Sequence, residues 1–404
     1  MDKKHEIVYI IEPYFDKLSD DRLNEIKALV ESAGAEVYGY KSQLIREITP
    51  ATFIGKGKLD EIKEELIDSP VDLIVFDGEL SPSQTLNIAE VTGIKTIDRT
   101  TLILDIFALN AKTSEGKLQV ELAQLKYIYP RLKGKGQGLS QQGAGIGTRG
   151  PGETQLETDR RHIRSRINLL EKDLKELETR RKLQTDRRKK NNVKTIALVG
   201  YTNTGKSTLL NKLTGADVLV KNQLFATLDP TLRKIQLSDT EAVMIDTVGF
   251  VRNIPHNLVE AFKSTLETAV DADLILIVCD AKGDFETQLK TTYDTLEEIG
   301  ASAEKFIVFN KCENITDSTK FPKDAIFISA LTGLGLDGLL AKINDFFANR
   351  YVKIKKTIPY AIYGEFTSIM HLCMIKTTDF LDDGVLIDVS IPKEHYHRFK
   401  KFFD

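Results

Sequence analysis

Residues 200–207 read G-Y-T-N-T-G-K-S and match the pattern G-x-x-x-x-G-K-[ST]. That spacing of glycine, lysine and hydroxyl fits the phosphates of a nucleoside triphosphate. Gly200 and Gly205 let the backbone approach an anion with no Cβ in the way. Tyr201, Thr202, Asn203 and Thr204 complete a loop whose N–H groups can face phosphate oxygens. Lys206 supplies a point charge for the β- and γ-phosphates, and the Ser207 hydroxyl suits Mg²⁺, a hard cation that prefers oxygen. Three further clusters follow in order. The first is Asp246, Thr247, Val248 and Gly249, where the Gly249 N–H can turn toward a γ-phosphate; the second is Asn310 and Lys311 with Glu313; the third is Ser329, Ala330 and Leu331. A lone match could be a chance strand-to-helix turn, but four clusters in this order leave that reading remote.

Each cluster needs a strand to aim it. Residues 195–199 form a short apolar run before Gly200, and residues 207–213 read as the first turns of a helix. The run 306–309 precedes Asn310, and the run 325–328 precedes Ser329. Polar clusters at the carboxyl ends of parallel strands are where doubly wound α/β sheets bind ligands. Lys206 and Gly249 are the catalytic candidates, together with a threonine from the stretch 224–231, L-F-A-T-L-D-P-T. Either Thr227 or Thr231 can close over Mg²⁺, and Phe225, Ala226, Leu228 and Asp229 are candidate nucleotide contacts beside them.

Two positions depart from the usual GTPase pattern. Glu313 stands where N-K-x-D has an aspartate, so the carboxylate that accepts from guanine is kept but is one methylene longer. The alternative is that Glu313 is a surface residue and selectivity relaxes toward ATP. Phe250 follows the glycine of D-x-x-G, where many small GTPases carry a water-orienting glutamine. A phenyl ring cannot hold water, so slow hydrolysis is expected until another segment or a partner completes the site. Arg233 and Arg252 are read as surface charges rather than arginine fingers.

The chain has 404 residues, which implies two to four domains, and 41% hydrophobic residues, ordinary for a globular protein. Cys279, Cys312 and Cys373 have no paired spacing and read as free thiols of a reducing compartment; the histidines form no metal-ligand cluster. No apolar stretch reaches membrane-spanning length and no signal-peptide core opens the chain, so a cytoplasmic location is expected. Net charge is −3, but residues 112–192 hold 20 Lys and Arg against 10 Asp and Glu. That segment is a basic arm suited to a polyanion, unless its charge is only a solvated face.

The arm has two leucine seams. Leu118, Leu122, Leu125, Tyr129 and Leu132 are spaced 4, 3, 4, 3, and Ile163, Ile167, Leu170, Leu174 and Leu177 repeat that spacing. Paired antiparallel helices satisfy both. Between them, residues 134–152 contain eight glycines, Lys135 and Arg149, and no acid before Glu153. A loop of this length and composition is either a disordered linker or a tip that enters a phosphate-rich pocket. Seams satisfied within one chain predict a monomer. Residues 5–11 and 71–76 read as strands, and residues 22–30, 59–67 and 84–91 as helices, which together make an N-terminal parallel α/β subdomain. The expected division is 1–111 for that subdomain, 112–192 for the helical hairpin with its glycine-rich loop, 193–350 for a doubly wound P-loop G domain, and 351–404 for a small α+β C-terminal domain with strands at 352–360 and 384–391. The fold class is therefore multidomain α/β.

The tract 145–161, G-I-G-T-R-G-P-G-E-T-Q-L-E-T-D-R-R, resembles the signature of the HflX family of translational GTPases. Residues 99–100, 106–108, 115–122, 200–207 and 224–231 are similar to the same family. The resemblance implies GTP and GDP as ligands with Mg²⁺, binding to the large ribosomal subunit and its rRNA, and splitting or rescue of stalled ribosomes under stress. It places the hairpin loop near the peptidyl-transferase region, the Mg²⁺ ligands at Ser207 and Thr227, and an aromatic or aliphatic residue after D-x-x-G. Alternative readings are a factor for subunit maturation or RNA modification, and a nucleotide-switched adaptor.

Overall fold

The structure, a computed structural model, describes residues 5–16, 20–132, 151–190, 193–215, 224–225, 231–238, 241–252, 269–313, 315 and 319–403. Its chain contacts group into two compact units, one of residues 1–235 and 242–334, the other of residues 236–241 and 335–404.

The first unit opens with β1 (Ile7–Tyr14), α1 (Asp20–Ser32), β2 (Glu36–Leu44), α2 (Lys56–Leu66), β3 (Leu73–Phe76), α3 (Pro82–Thr92), β4 (Lys95–Asp98) and α4 (Arg99–Asn110). The strands pair in parallel in the order β2-β1-β3-β4. Strand alternation explains the two layers of helices. Val8 and Ile10 join Leu23, Ile26 and Ile103 of α1 and α4, whereas Tyr9 and Ile11 join Leu59, Ile62 and Ile88 of α2 and α3. Local chemistry sets the helix ends. Ser81 and Gln84 form a capping box around Pro82 at the first helical position, and α3 stops at Gly93 with φ 73°. The Asp98 carboxylate accepts the Thr101 N–H at 2.9 Å and so starts α4.

Next come α5 (Ser114–Arg131) and α6 (Pro151–Lys190), packed antiparallel as the seams require. Leu122 and Leu170 are buried in the seam. Its rims carry ion pairs Glu115–Arg181 at 2.7 Å, Glu121–Arg166 at 2.6 Å and Lys126–Glu171 at 2.8 Å. The glycine-rich tip between the helices lies outside the described residues.

A six-stranded sheet follows, formed by β5 (Lys194–Val199), β6 (Thr231–Gln236), β7 (Glu241–Asp246), β8 (Leu274–Asp280), β9 (Glu304–Asn310) and β10 (Ile326–Phe327), with α7 (Lys206–Thr214) and α8 (Phe285–Glu298) between strands. Its order is β10-β9-β8-β5-β7-β6, and the β5–β7, β5–β8, β8–β9 and β9–β10 pairs are parallel. The chain thus leaves β5 in both directions, the doubly wound arrangement expected from the motifs. The N-terminal subdomain and this domain share one apolar core, in which the Phe107 and Phe225 rings meet at 4.5 Å.

The second unit holds α9 (Leu336–Ala348), β11 (Tyr351–Ile358), α10 (Tyr360–Ile369), β12 (Met374–Leu381), β13 (Gly384–Pro392) and α11 (Tyr396–Phe403). Its sheet is antiparallel in the order β11-β13-β12, and Phe366, Phe399 and Phe402 fill its core. Gly384 starts β13 beside the β11 end, where a Cβ would fall 2.4 Å from the Ile358 carbonyl oxygen.

One buried ion cluster ties the two sheets of the first unit together. Arg99, 6% exposed at the start of α4, donates to Asp77 at 2.5 Å, to Glu25 of α1 and, at 3.3 Å, to the carbonyl of Arg252. Burial works against its charge; Asp77 and Glu25 more than offset that, and the guanidinium stays ionised. Removing this cation leaves Asp77 without its charge partner and Glu25 with only the longer Arg252 contact. Arg99→Leu is expected to lower stability by about 3 kcal/mol, read as a fall in the urea midpoint at unchanged slope.

Candidate nucleotide-binding site

The ends of β5, β7, β8 and β9 bring the sequence clusters to one edge of the sheet. β5 runs into Gly200, whose φ is 142° and whose added Cβ would lie 2.2 Å from the Val278 carbonyl of β8. Asn203 has φ 60° and Gly205 φ 92°, left-handed positions that curl residues 200–205 into a tight loop. α7 then begins at Lys206 with no side-chain cap, which leaves its first N–H groups for an anion.

Lys206 lies across this loop. Its Nζ donates to the carbonyls of Gly200 at 3.0 Å and Tyr201 at 2.6 Å. Burial lowers its pKa to about 8, with Asp246 and Cys279 pulling the other way. Burial also pushes the Cys279 thiol up to about 12, so that group stays neutral beside the lysine. Ser207 Oγ donates to Asp246 Oδ2 at 2.6 Å. A hydroxyl and a carboxylate oxygen are a sparse, hard donor set. It fits Mg²⁺, which takes few protein ligands and draws the others from phosphate and water.

The D-T-V-G segment lies on the loop. Thr247 Oγ1 donates to Leu198 at 2.7 Å, and Val248 is buried. The Phe250 N–H donates to Gly200 at 3.0 Å, and its carbonyl accepts the Thr202 N–H at 2.7 Å. Gly249 is held so close that a Cβ would sit 2.7 Å from Thr202 Cγ2 and 3.0 Å from Lys206 Nζ. The Phe250 ring is buried and offers nothing to water. The neighbouring Thr204 hydroxyl donates to the Tyr201 carbonyl at 2.9 Å.

Asn310, at the end of β9, links three of the clusters. Its Nδ2 donates to the Thr204 carbonyl at 2.8 Å and its Oδ1 accepts the Ala330 N–H at 2.8 Å. Lys311 takes φ 63° and pairs with Asp280 at 2.6 Å. Glu313 Oε1 accepts the Ser329 hydroxyl at 2.6 Å, and Lys282 Nζ stands 3.3 Å from Oε2. The Ser329 hydroxyl, a backbone hydrogen bond and then Lys282 hold the Glu313 carboxyl below its usual pKa, so it is an anion near neutrality. Leu331 is exposed at the rim.

Phe225 is buried against Phe107 with φ 55°, and the N–H of Leu224 donates to Ser32 Oγ at 2.9 Å. Ala226, Thr227, Leu228 and Asp229 lie outside the described residues, while Thr231 opens β6. Arg233 sits in β6. Arg252 is not the surface charge the sequence suggests. It is 20% exposed, pairs with Asp284 at 3.0 Å and lies 3.6 Å from Glu25.

The sequence also concealed the partner of Tyr201. Its hydroxyl donates to Glu25, 176 residues away, and accepts the Arg252 N–H at 2.5 Å. The phosphate loop, the segment after Gly249 and the N-terminal subdomain therefore meet at one phenol. Burial and the Glu25 carboxylate push that phenol's pKa up, so it remains a donor.

The Lys206 shift has a measurable sign. With a folded-state pKa near 8 against an ordinary 10.5, the free protein gives up this proton as pH passes about 8. A bound polyphosphate favours the ammonium. Nucleotide binding should draw up almost no proton at pH 7 and a growing fraction of one proton above about pH 8. Calorimetry in buffers of different ionisation enthalpy reads this directly.

Comparison with known proteins agrees with the geometry. Family models described as GTP-binding GTPase N-terminal, GTP-binding GTPase Middle Region and 50S ribosome-binding GTPase match residues 20–108, 110–188 and 195–311. The chain is 46% identical over 386 residues to the GTPase HflX of Caldanaerobacter subterraneus subsp. tengcongensis, covering 95% of this chain and 90% of that protein. It is 43% identical to the GTPase HflX of Escherichia coli, covering 84% and 82% of the two chains. Among solved structures, a GTP-binding protein from Sulfolobus solfataricus in complex with GDP is similar at 26% identity and TM-score 0.46, over 84% of this chain and 97% of that one. With the P-loop, the D-x-x-G segment and the clusters at Asn310 and Ser329 converging on one sheet edge, and with relatives this similar over most of its length, the chain belongs to the HflX family of GTPases.

Proposed function

We propose that the chain hydrolyses GTP with Mg²⁺ at this edge, and that its nucleotide state governs engagement of the large ribosomal subunit, with splitting or rescue of stalled ribosomes as the outcome. The supporting observation is the packing of Gly249 and Phe250 on the phosphate loop. A γ-phosphate between Lys206 and the Gly249 N–H needs room that this packing fills. Its entry lifts Phe250 away from Gly200 and Thr202, and the Arg252 N–H that follows is tied through Tyr201 to Glu25. A ligand shifts an equilibrium only through contacts that differ between two states. Here the difference is one phosphate.

In this reading residues 200–207 hold the phosphates, and Lys206 neutralises charge that grows on the β/γ bridge. Ser207 and Thr227 are the Mg²⁺ ligands, with Asp246 behind Ser207; the bound cation supplies further charge neutralisation. Asn310, Lys311, Glu313, Ser329, Ala330 and Leu331 surround the base, and the Glu313 carboxylate accepts from guanine. No side chain at Phe250 orients water, so turnover is slow until a partner completes the site. The hairpin carries the charge excess, which favours rRNA phosphate as its contact. Its two helices pack on each other within the chain, with Leu122 and Leu170 buried and the other seam residues partly so, which supports a monomer over an adaptor that offers a free coiled-coil face. No helix among the described residues is long and apolar enough to cross a membrane, and the proposed site of action is the cytoplasm.

Replacing residues 134–152 with a short Gly-Ser linker should leave GDP and GTP affinity within about twofold and abolish stimulation of hydrolysis by ribosomes, since the cradle is built elsewhere in the fold. Light scattering of intact ribosomes should fall with the unaltered protein and GTP, and stay level with Lys206→Ala. Unchanged stimulation in the linker variant refutes the role of the arm.

A further inference from the structure

We propose that Lys282 is a specificity-determining positioning residue: with Ser329 it fixes the Glu313 carboxylate for the guanine edge and offsets the extra methylene that glutamate brings to this position. The inference rests on the guanine-nucleotide reading above and goes beyond it, because neither the phosphate loop nor the base-side motif includes Lys282.

The geometry is specific. Glu313 has one more rotatable bond than an aspartate, so its carboxylate needs a hold on each oxygen to stay in one orientation. Ser329 Oγ takes Oε1 at 2.6 Å, and Lys282 Nζ approaches Oε2 at 3.3 Å from the opposite strand connection. Both holds are themselves positioned. The Thr332 N–H donates to Ser329 Oγ at 3.1 Å, and the Lys282 N–H donates to Asp280 Oδ1 at 2.9 Å. Asp280 Oδ2 meanwhile takes Lys311 Nζ at 2.6 Å, and the Asp280 N–H reaches Gln288 Oε1 at 2.9 Å. One aspartate thus places the lysine that follows Asn310 and the backbone of the lysine that reaches Glu313.

Carboxylate oxygens each carry two lone pairs. With one pair on each oxygen committed to Ser329 and Lys282, the other pairs remain for two parallel N–H donors, the pattern that guanine presents and adenine does not. Without Lys282 the longer side chain can swing about Ser329, and the paired acceptor geometry is lost for part of the time. Lys282 is 47% exposed at its side chain and Glu313 is 28%, so the free ion pair is weak; its effect is orientation, strengthened when a base covers it.

The test is a double-mutant cycle on the full chain, with fluorescence or calorimetric Kd values for GDP and ADP. Lys282→Met should lower the GDP-over-ADP affinity ratio by about fivefold, while Lys282→Arg retains it. In the Glu313→Asp background, Lys282→Met should change the ratio by less than about twofold, because the shorter side chain has no surplus bond to restrain. Equal loss for GDP and ADP, or equal loss in both backgrounds, overturns the inference and reduces Lys282 to a general charge near the ligand. A ratio near one in the unmutated protein overturns the guanine reading, and this inference with it. A high ratio that Lys282→Met leaves unchanged overturns this inference alone.

Discussion

A guanidinium removed from water must find its charge balance inside the protein, and the way Arg99 does so organises the first unit. Its two carboxylate partners come from different layers of the N-terminal subdomain, Asp77 after β3 and Glu25 on α1. The same Glu25 also takes the Tyr201 phenol of the phosphate loop and lies near the Arg252 side chain. Arg99 in particular cannot shift without leaving buried carboxylate charge poorly compensated, which costs several kcal/mol. The cluster therefore joins subdomain and phosphate loop by a requirement of charge balance as well as by packing. The shared apolar core, with Phe107 on Phe225, adds area to that joint; the ion cluster makes it directional.

The edge of the second sheet follows the same logic on a smaller scale. Asn310 is the common partner of the phosphate loop and the Ser329 cluster, so the two are set against each other by one amide. Gly205 is needed there because any side chain would strike that amide at 2.3 Å. Burial lowers the Lys206 pKa, and the proposed phosphate contact would restore its full charge. A site built this way is nearly assembled in advance, and in the proposed cycle the part that moves is the Gly249–Phe250 backbone, held to the loop by two hydrogen bonds.

Much of this was legible in the chain itself, for physical reasons. The spacing of Gly200, Gly205, Lys206 and Ser207 is dictated by the size of a phosphate chain, so it survives as a local pattern. The hairpin is legible because a seam needs a fixed repeat. β2 was missed because no residue is fully buried along an edge strand that includes Tyr38, Lys41 and Gln43. β4 is four residues long, and β12 is exposed along much of its length, so neither carries an apolar run. The Arg99–Glu25–Tyr201 cluster left no trace, since its members are far apart in sequence and each looks ordinary alone. Lys282 was hidden likewise: its meaning depends on Glu313 being brought beside it by the β8–β9 pairing.

The hairpin has a mechanical corollary. α6 is a single rod of 40 residues, about 60 Å long, and it ends at Lys190, just before β5 begins at Lys194 and leads into Gly200. Geometry makes such a rod an amplifier: tilting its base by one degree sweeps its far end through about 1 Å. Conversely, a force on the far end arrives at the strand root multiplied as torque. The pairs Glu115–Arg181 and Lys126–Glu171 tie part of the rod to α5, so the two helices share the load along that stretch.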